Sequence, residues 1–293
     1  MPSPRNLIAV TPAPALFLVS GFTQYYGAAL AVGLFVLAPS AVVGWLRIVV
    51  SAIILLAWRR PWKQGWSRRE LLASAGFGVV LAAMNLCFYV AIEHLPLGTA
   101  VAIEFLGPVA VAAITGTGWR DRLGIALALA GVVLLAGVSL EGGWTTSVVI
   151  GLVAIFGSGL FWAFYIILGR RIASTRDGIT SLSVGMTAGA LVFAPFCVWQ
   201  VGGIVSHGPA LLALVGIAVL SSVIPYAIEQ VVLRKVTAAR FAILLALLPV
   251  TAAVTGAVFL AQIPHAAEIT GMALVCAAIV LSARKSGGEL ATG

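Results

Sequence analysis

The chain has 293 residues, of which 61% are hydrophobic and only 9% are charged, and its formal net charge is +8. Soluble globular domains are about 45–50% apolar and about 25% charged, so this composition excludes a sizeable water-soluble domain. A helix that crosses a bilayer uses roughly 20 apolar residues, so a chain of this length has room for about ten such helices. The composition therefore predicts an all-α polytopic membrane protein.

The predicted elements are ten apolar transmembrane spans, separated by short connections that are turn-rich or charged. In chain order they cover residues 13–36, 41–58, 70–92, 97–117, 123–140, 148–169, 178–200, 209–232, 238–260 and 267–283. Successive connections alternate between two sides, and every basic residue except Arg47 falls on one side. By the positive-inside rule that side is cytoplasmic, together with both termini. The positive charge is thus a topology signal and predicts no nucleic-acid partner.

An internal repeat relates the two halves of the chain. The stretch GIALALAGVVLLA at 124–136 is similar to GMALVCAAIVLSA at 271–283, and GPVAVAAITG at 107–116 is similar to LPVTAAVTG at 248–256. The repeat divides the chain into residues 1–140 and residues 141–293, the second with a short cytoplasmic tail. Because each half has five spans, an odd number, the second half inserts with inverted topology. Inverted-repeat transporters hold their substrate between the halves.

Residue patterns for catalysis or metal binding are missing. No glycine precedes a lysine, as a phosphate-binding loop requires. Asp121 and Asp177 lie in cytoplasmic connections, while His94, His207 and His265 lie in separate connections on the other side. The three cysteines are far apart in apolar stretches, which disfavours a disulfide framework. We therefore predict no enzyme, no metal site and no cofactor.

Three ionisable residues lie inside spans, where charge is costly and marks functional candidates. Arg47 and Glu104 each lie roughly 10 Å from the same outer face, so we expect them to form an ion pair that acts as a gate. One alternative is a fixed pair that only locks helix packing. Another is that Glu104 exchanges its partner for a substrate ammonium or a proton. Glu229 lies near the cytoplasmic end of its span, where it either reaches the interface or lines a cavity.

Five further side chains are candidates for substrate binding. Asn85 and Tyr89 share a face of the third span, Trp162 and Tyr165 share a face of the sixth, and Gln24 lies in the first. Aromatic residues at depth are also typical of helix packing or of an interfacial belt, so that alternative stays open. Amide and phenol groups on one face favour a polar cavity, because lipid offers them no partner.

Helix-breaking residues occupy corresponding places in the two halves. Gly107 and Pro108 fall in the fourth span and Pro249 falls in the ninth. Breaks at matched depth point towards a transport site and provide hinges.

Several stretches resemble a known family. MNLCFYVAIEHLPLGTAVAIEFLGPVAVA at 84–112, FWAFYIILGRRIA at 161–173, SSVIPYAIEQVVL at 221–233 and LLPVTAAVTGAVFL at 247–260 look like bacterial threonine/homoserine exporters. These belong to the EamA branch of the drug/metabolite transporter superfamily. The segment QIPHAAE at 262–268 departs from the resemblance, because many relatives have a Gly-Glu turn there.

The resemblance implies alternating-access export of small amino acids across the bacterial inner membrane. Glu104 would face the substrate ammonium, Gln24, Asn85 and Tyr89 would donate or accept hydrogen bonds, and Trp162 would wall the cavity. Proton coupling through Glu104 or Glu229 and downhill exchange both stay open. So do aromatic amino-acid export, drug export, a nucleotide-sugar or phosphorylated-metabolite carrier, and a non-transporting scaffold. Lipid is an expected partner, and the choice between monomer and homodimer is undetermined.

Overall fold

The computed structural model describes residues 11–115, 119–140, 143–173, 178–236 and 244–283. These residues form helices and no strand. In chain order the helices are α1 Ala13–Val32, α2 Ser40–Arg59, α3 Arg68–His94, α4 Leu97–Glu104, α5 Leu106–Thr115, α6 Trp119–Ser139, α7 Thr146–Ala173, α8 Gly178–Cys197, α9 Gly202–Val205, α10 Gly208–Ala218, α11 Ile224–Lys235, α12 Leu247–Leu260 and α13 Ala266–Ala283. Short 3₁₀ turns lie at Pro61–Lys63 and Val198–Gln200, and a π-helical turn at Val219–Val223 joins α10 to α11.

Seven helical segments are long and apolar enough to cross a bilayer, which agrees with the predicted polytopic membrane protein. Three further apolar segments are shorter, at Leu97–Val111, Leu247–Leu260 and Ala266–Leu281. All ten predicted spans therefore overlap a helix or a broken helix, although the count of ten crossings stays a prediction. The N-terminal residues and the basic tail after α13 lie outside the described residues.

Two ends of the helix bundle differ in charge. Residues 59–69 connect α2 to α3 and carry five basic side chains, and we call this the basic end. Here α3 begins with a capping box: the Ser67 hydroxyl accepts from the Glu70 N–H (3.2 Å), and the Glu70 carboxylate accepts from the Ser67 N–H (2.8 Å). We call the other end, with the connections after α1, α3 and α12, the opposite end.

The fourth predicted span is not one continuous helix, which corrects the expected element at 97–117. It breaks at Phe105 (φ −63°, ψ −9°), between α4 and α5. Ala246, just before α12, has nearly the same backbone (φ −64°, ψ −13°). In both halves the break lies three residues before a proline, Pro108 or Pro249. Proline has no N–H to donate four residues back, so each proline frees one main-chain carbonyl at the break.

The eighth predicted span contains a π-helical turn at Val219–Val223, just before Pro225. Such turns are rare and occur often at functional sites. The helical spacing of the sequence does not predict this turn. It contains two adjacent serines, Ser221 and Ser222, both buried.

Glycines allow the helices to approach closely where the two halves meet. A Cβ added to Gly78 of α3 would collide with the backbone of Gly185 in α8, and one added to Gly107 of α5 would collide with Gly159 of α7. Membrane helices gain little from hydrophobic segregation, so close backbone packing of this kind is a main source of their association.

We expect Gly78→Ala to destabilise the protein, because its methyl group has no space against α8. The cost of overpacking is about 1–3 kcal/mol. Gly76→Ala is the matched control, since Gly76 lies in the same helix with no atom within 4 Å of its added Cβ. Thermal unfolding of the detergent-purified protein should show a lower midpoint for Gly78→Ala alone. Equal midpoints for the two variants would contradict the α3–α8 contact.

Candidate functional site

Two residues of opposite charge are buried in the middle of the bundle. Arg47 of α2 is 5% exposed and Glu104, the last residue of α4, is 7% exposed. The predicted ion pair between them is absent from the structure, and their role as a gate stays a prediction. Arg47 instead donates from Nη2 to the Asn85 side-chain oxygen, and its guanidinium carbon lies 4.9 Å from the centre of the Tyr89 ring. Asn85 and Tyr89, one turn apart on α3, take the guanidinium because they present an acceptor and a ring face to it.

Glu104 has a serine as its partner. Its carboxyl Oε1 lies 2.5 Å from the Ser158 hydroxyl of α7, and the same hydroxyl lies 2.9 Å from the main-chain oxygen of Met84. A serine hydroxyl carries one hydrogen, so it cannot donate to both oxygens at once. Neither Glu104 nor Arg47 has an ion-pair partner among the described residues.

Buried polar atoms without a hydrogen-bond partner accompany these charges. Within the described chain they include Arg47 Nε, the Tyr89 hydroxyl, Ser222 Oγ and Ser20 Oγ. They come from α1, α2, α3 and the π-helical turn. Unpartnered buried polar atoms are costly and rare in native structures. They are therefore the groups that a polar ligand or water would satisfy.

The two aromatic candidates on α7 pack against other rings. Trp162 meets Phe105 edge-to-face with 4.6 Å between ring centres, directly at the α4–α5 break. Tyr165 stacks on Phe77 of α3, also at 4.6 Å. Both rings are half-buried. The packing interpretation accounts for these contacts, and substrate binding by either ring stays a prediction.

Gln24 and Glu229 come to the same region from α1 and α11. The Gln24 main-chain oxygen accepts from the Ser221 hydroxyl at 3.0 Å, which ties α1 to the π-helical turn. Glu229 is half-buried. Whether it lines a cavity or reaches the interface stays a prediction.

The predicted hinge residues lie at the helix breaks. Gly107 packs on the Gly159 backbone, and a Cβ added to Gly159 would lie 3.0 Å from the Glu104 main-chain oxygen. Pro108 is in the first turn of α5, and Pro249 is in the first turn of α12. Their motion as hinges stays a prediction.

Four residues of this region were not among the predicted site residues: Tyr25, Ser158, Ser221 and Tyr226. Ser158 lies one turn before Trp162, and Tyr226 lies three residues before Glu229, so helical spacing was the available signal. Ser221 is brought to Gln24 by the π-helical turn, and helical periodicity does not reveal such a turn.

Comparisons with known proteins find similar sequences among transporters. The profile of the EamA-like transporter family matches residues 149–284. The threonine/homoserine exporter RhtA of Escherichia coli K12 is 31% identical over 255 residues, which cover 87% of this chain and 85% of that protein. The RhtA of Salmonella typhimurium LT2 is 32% identical over 253 residues, which cover 86% of this chain and 84% of that protein. A solved crystal structure superimposes on 95% of this chain over 97% of its own length, with a TM-score of 0.57 and 20% sequence identity. This similarity shows a shared fold.

We expect Ser158→Ala to destabilise the protein by about 1–3 kcal/mol, because it leaves the Glu104 carboxyl without its partner. Ser181→Ala is the matched control: Ser181 is also a buried serine, on α8, and its hydroxyl has no hydrogen-bond partner among the described residues. Removing that hydroxyl should not lower stability, because nothing pairs with it. Thermal unfolding in detergent compares the two, and a larger loss for Ser181→Ala would contradict the Ser158–Glu104 contact.

Proposed function

The chain belongs to the EamA-like transporter family of the drug/metabolite transporter superfamily, and from that premise we propose that it exports small zwitterionic amino acids of the threonine/homoserine type. One observation carries the proposal: two buried charges of opposite sign, Arg47 and Glu104, lie in one region without pairing with each other. A free amino acid carries the two complementary charges at neighbouring atoms.

In this proposal Arg47 holds the substrate carboxylate and Glu104 holds its ammonium group. A charge buried at membrane depth is costly without a counter-charge, and a bound zwitterion supplies both. Asn85 and the Tyr89 ring position the guanidinium, whose Nε has no partner in the described chain. Charge-assisted hydrogen bonds of this kind are about twice as strong as neutral ones.

The charge balance disfavours the phosphorylated-metabolite alternative. The buried charged side chains of the described residues are Arg47, Glu104 and Glu268, so carboxylates outnumber cations. A sugar phosphate would bring about two negative charges to a region with one arginine and a carboxylate. Export of aromatic amino acids remains a second candidate, because the half-buried ring of Trp162 packs on Phe105, the residue after Glu104. Aromatic rings can also pack against apolar drug molecules, so drug export is a further alternative.

The proposed architecture has ten spans in the bacterial inner membrane, arranged as two inverted five-span halves with both termini cytoplasmic. The matched breaks at Phe105 and Ala246 support it, since both have nearly the same backbone conformation and the same spacing to a proline. Such breaks at corresponding positions fit hinges for alternating access around a site between the halves.

We also infer that Glu104 couples export to proton entry. With Glu104 protonated, its carboxyl donates to Ser158, and Ser158 donates to the Met84 oxygen, so both short contacts are hydrogen bonds. With Glu104 charged, the hydroxyl turns to the carboxylate instead. The site thus accommodates either protonation state, and a proton and an ammonium group compete for one carboxylate.

A series of three ligands tests the assignment of the charges. We expect Arg47→Gln to weaken L-threonine binding at least about tenfold, while binding of threoninol, which lacks the carboxylate, changes little. Glu104→Gln should weaken both, because both carry the ammonium group. The third ligand is the hydroxy acid that keeps the carboxylate of threonine but lacks its amino group. Its binding should be weakened by Arg47→Gln and unchanged by Glu104→Gln. Calorimetry on protein in lipid nanodiscs measures all three, and a Glu104→Gln variant with intact L-threonine affinity would refute the proposed function.

Asn85→Asp gives a variant that does not depend on removing a buried charge. The new carboxylate would lie in contact with Arg47 and pair with it. We expect the thermal midpoint to be kept or raised and L-threonine transport into proteoliposomes to fall at least about tenfold, because the substrate carboxylate loses its cation. Transport at the original rate with a kept midpoint would show that Arg47 does not bind substrate.

Proton coupling predicts a separation of two activities in Glu104→Gln. The neutral amide cannot gain or lose a proton, so a pH gradient imposed across proteoliposomes should no longer drive L-threonine accumulation. Residual threonine–threonine exchange at saturating substrate should be insensitive to that gradient. Gradient-driven accumulation that survives in Glu104→Gln would assign the coupling to another group.

A further inference from the structure

A cavity lies at the opposite end of the bundle, and neither Arg47 nor Glu104 lines it. Its volume of 390 Å³ falls in the range of about 300–1,000 Å³ typical of small-molecule sites. Both halves of the chain contribute polar side chains to its wall. These are His94, Thr99, Ser139, Gln262, His265 and Glu268.

Glu268 is the charged group of this cavity and is only 6% exposed. One carboxylate oxygen accepts from the His265 N–H at 2.9 Å, which caps the start of α13. The other accepts from the Thr99 hydroxyl of α4 at 2.8 Å. A carboxylate has about four acceptor positions, so two remain after these bonds. Within the part of the chain that the structure describes, Glu268 has no ion-pair partner.

The cavity lies on the seam between the two halves. The Gln262 side-chain oxygen accepts from the Leu97 N–H at 2.9 Å, at the first turn of α4. Gly98 packs on α12 so closely that an added Cβ would lie 2.8 Å from the Ala253 Cα. Helix α4 also ends in Glu104, so the same short helix connects this cavity to the buried charges. A ligand that takes over Glu268 from Thr99 therefore acts on a contact between the halves.

The cavity wall contains a glutamate and two histidines, His94 and His265, but no lysine or arginine. Residues 93–99 and 261–272, which supply most of its wall, include two glutamates and no lysine or arginine. Glu93 is exposed at the same end, where it accepts from the Ser40 hydroxyl. A buried carboxylate in such surroundings favours a cation with several N–H donors.

We propose that this cavity is a second substrate site, in which Glu268 binds the ammonium group of the amino acid on the side where it is released. The proposal rests on the proposed function, since it takes the transported amino acid as its ligand. No arginine or lysine among residues 93–99 and 261–272 is available for the carboxylate, so the site is weaker than the central one and recognises the amine end.

Threoninol binding to a Glu104→Gln background isolates this site, because the central ammonium partner is then absent. We expect this variant, in nanodiscs, to retain a weak threoninol-binding component by calorimetry. Adding Glu268→Gln should weaken that component at least about tenfold. The glutamine keeps both local hydrogen bonds, since its oxygen accepts from the His265 N–H and its amide donates to Thr99. Adding Glu93→Gln instead, as the matched control, should leave binding unchanged.

The outcomes separate the two proposals. If Glu104→Gln abolishes all threoninol binding, or if adding Glu268→Gln changes nothing, the second site is overturned and the proposed function stands. If Glu104→Gln leaves L-threonine affinity at the wild-type value, the proposed function fails whatever Glu268→Gln does.

A labelling measurement keeps Glu268 intact and so does not depend on folding of the double variant. Ile263, 79% exposed, lines the cavity, and Val36, 86% exposed, lies at the same end outside it. We expect threoninol to slow maleimide modification of Ile263→Cys at least about threefold and to leave Val36→Cys unaffected, each compared with the parent protein. Equal rates with and without threoninol at Ile263→Cys would overturn the second site.

Discussion

A charge inside a bilayer must be compensated by the protein, because hydrocarbon does not compensate it. Arg47 and Glu104 are compensated by neutral groups: an amide oxygen and a ring face for the arginine, and a hydroxyl for the glutamate. Neutral partners hold a charged side chain in place without cancelling its charge. A direct ion pair would have satisfied both residues, and a substrate would then have had to break it. In the proposed function, their separation leaves both charges available to the substrate.

The helix break links this arrangement to the backbone. Pro108 has no N–H to bond to the Glu104 carbonyl, so α4 ends at the residue that carries the buried carboxyl group. Gly159 lets α7 approach that carbonyl, and Ser158, the preceding residue, reaches the carboxyl. One proline and one glycine thus place the end of α4 against the residue that binds its side chain. Any rotation of α4 relative to α5 would move the Glu104 carboxyl against α7.

The sequence was sufficient for features that depend on local composition. Span positions follow from apolar runs, and Pro108 and Pro249 indicate breaks because proline acts on its own helix. The partner of Arg47 was predicted wrongly because depth fixes only the height of a residue in the membrane. It does not fix which neighbouring helix the side chain faces. Asn85 and Tyr89 were correctly grouped on one helix face, but that face turns to Arg47. The π-helical turn at Ser221 has no periodic signal and could not be predicted.

The two halves share their backbone breaks but differ in their charged residues. At the offset that aligns GPVAVAAITG with LPVTAAVTG, Glu104 pairs with Leu245 and Arg47 pairs with Ala188. Both central charges therefore come from the first half. The second half contributes Ser158, the π-helical turn and Glu229 to the same region. If the substrate is held by α2 and α4, as proposed above, then recognition would fall mainly on the first half. Closure around the substrate would fall mainly on the second half.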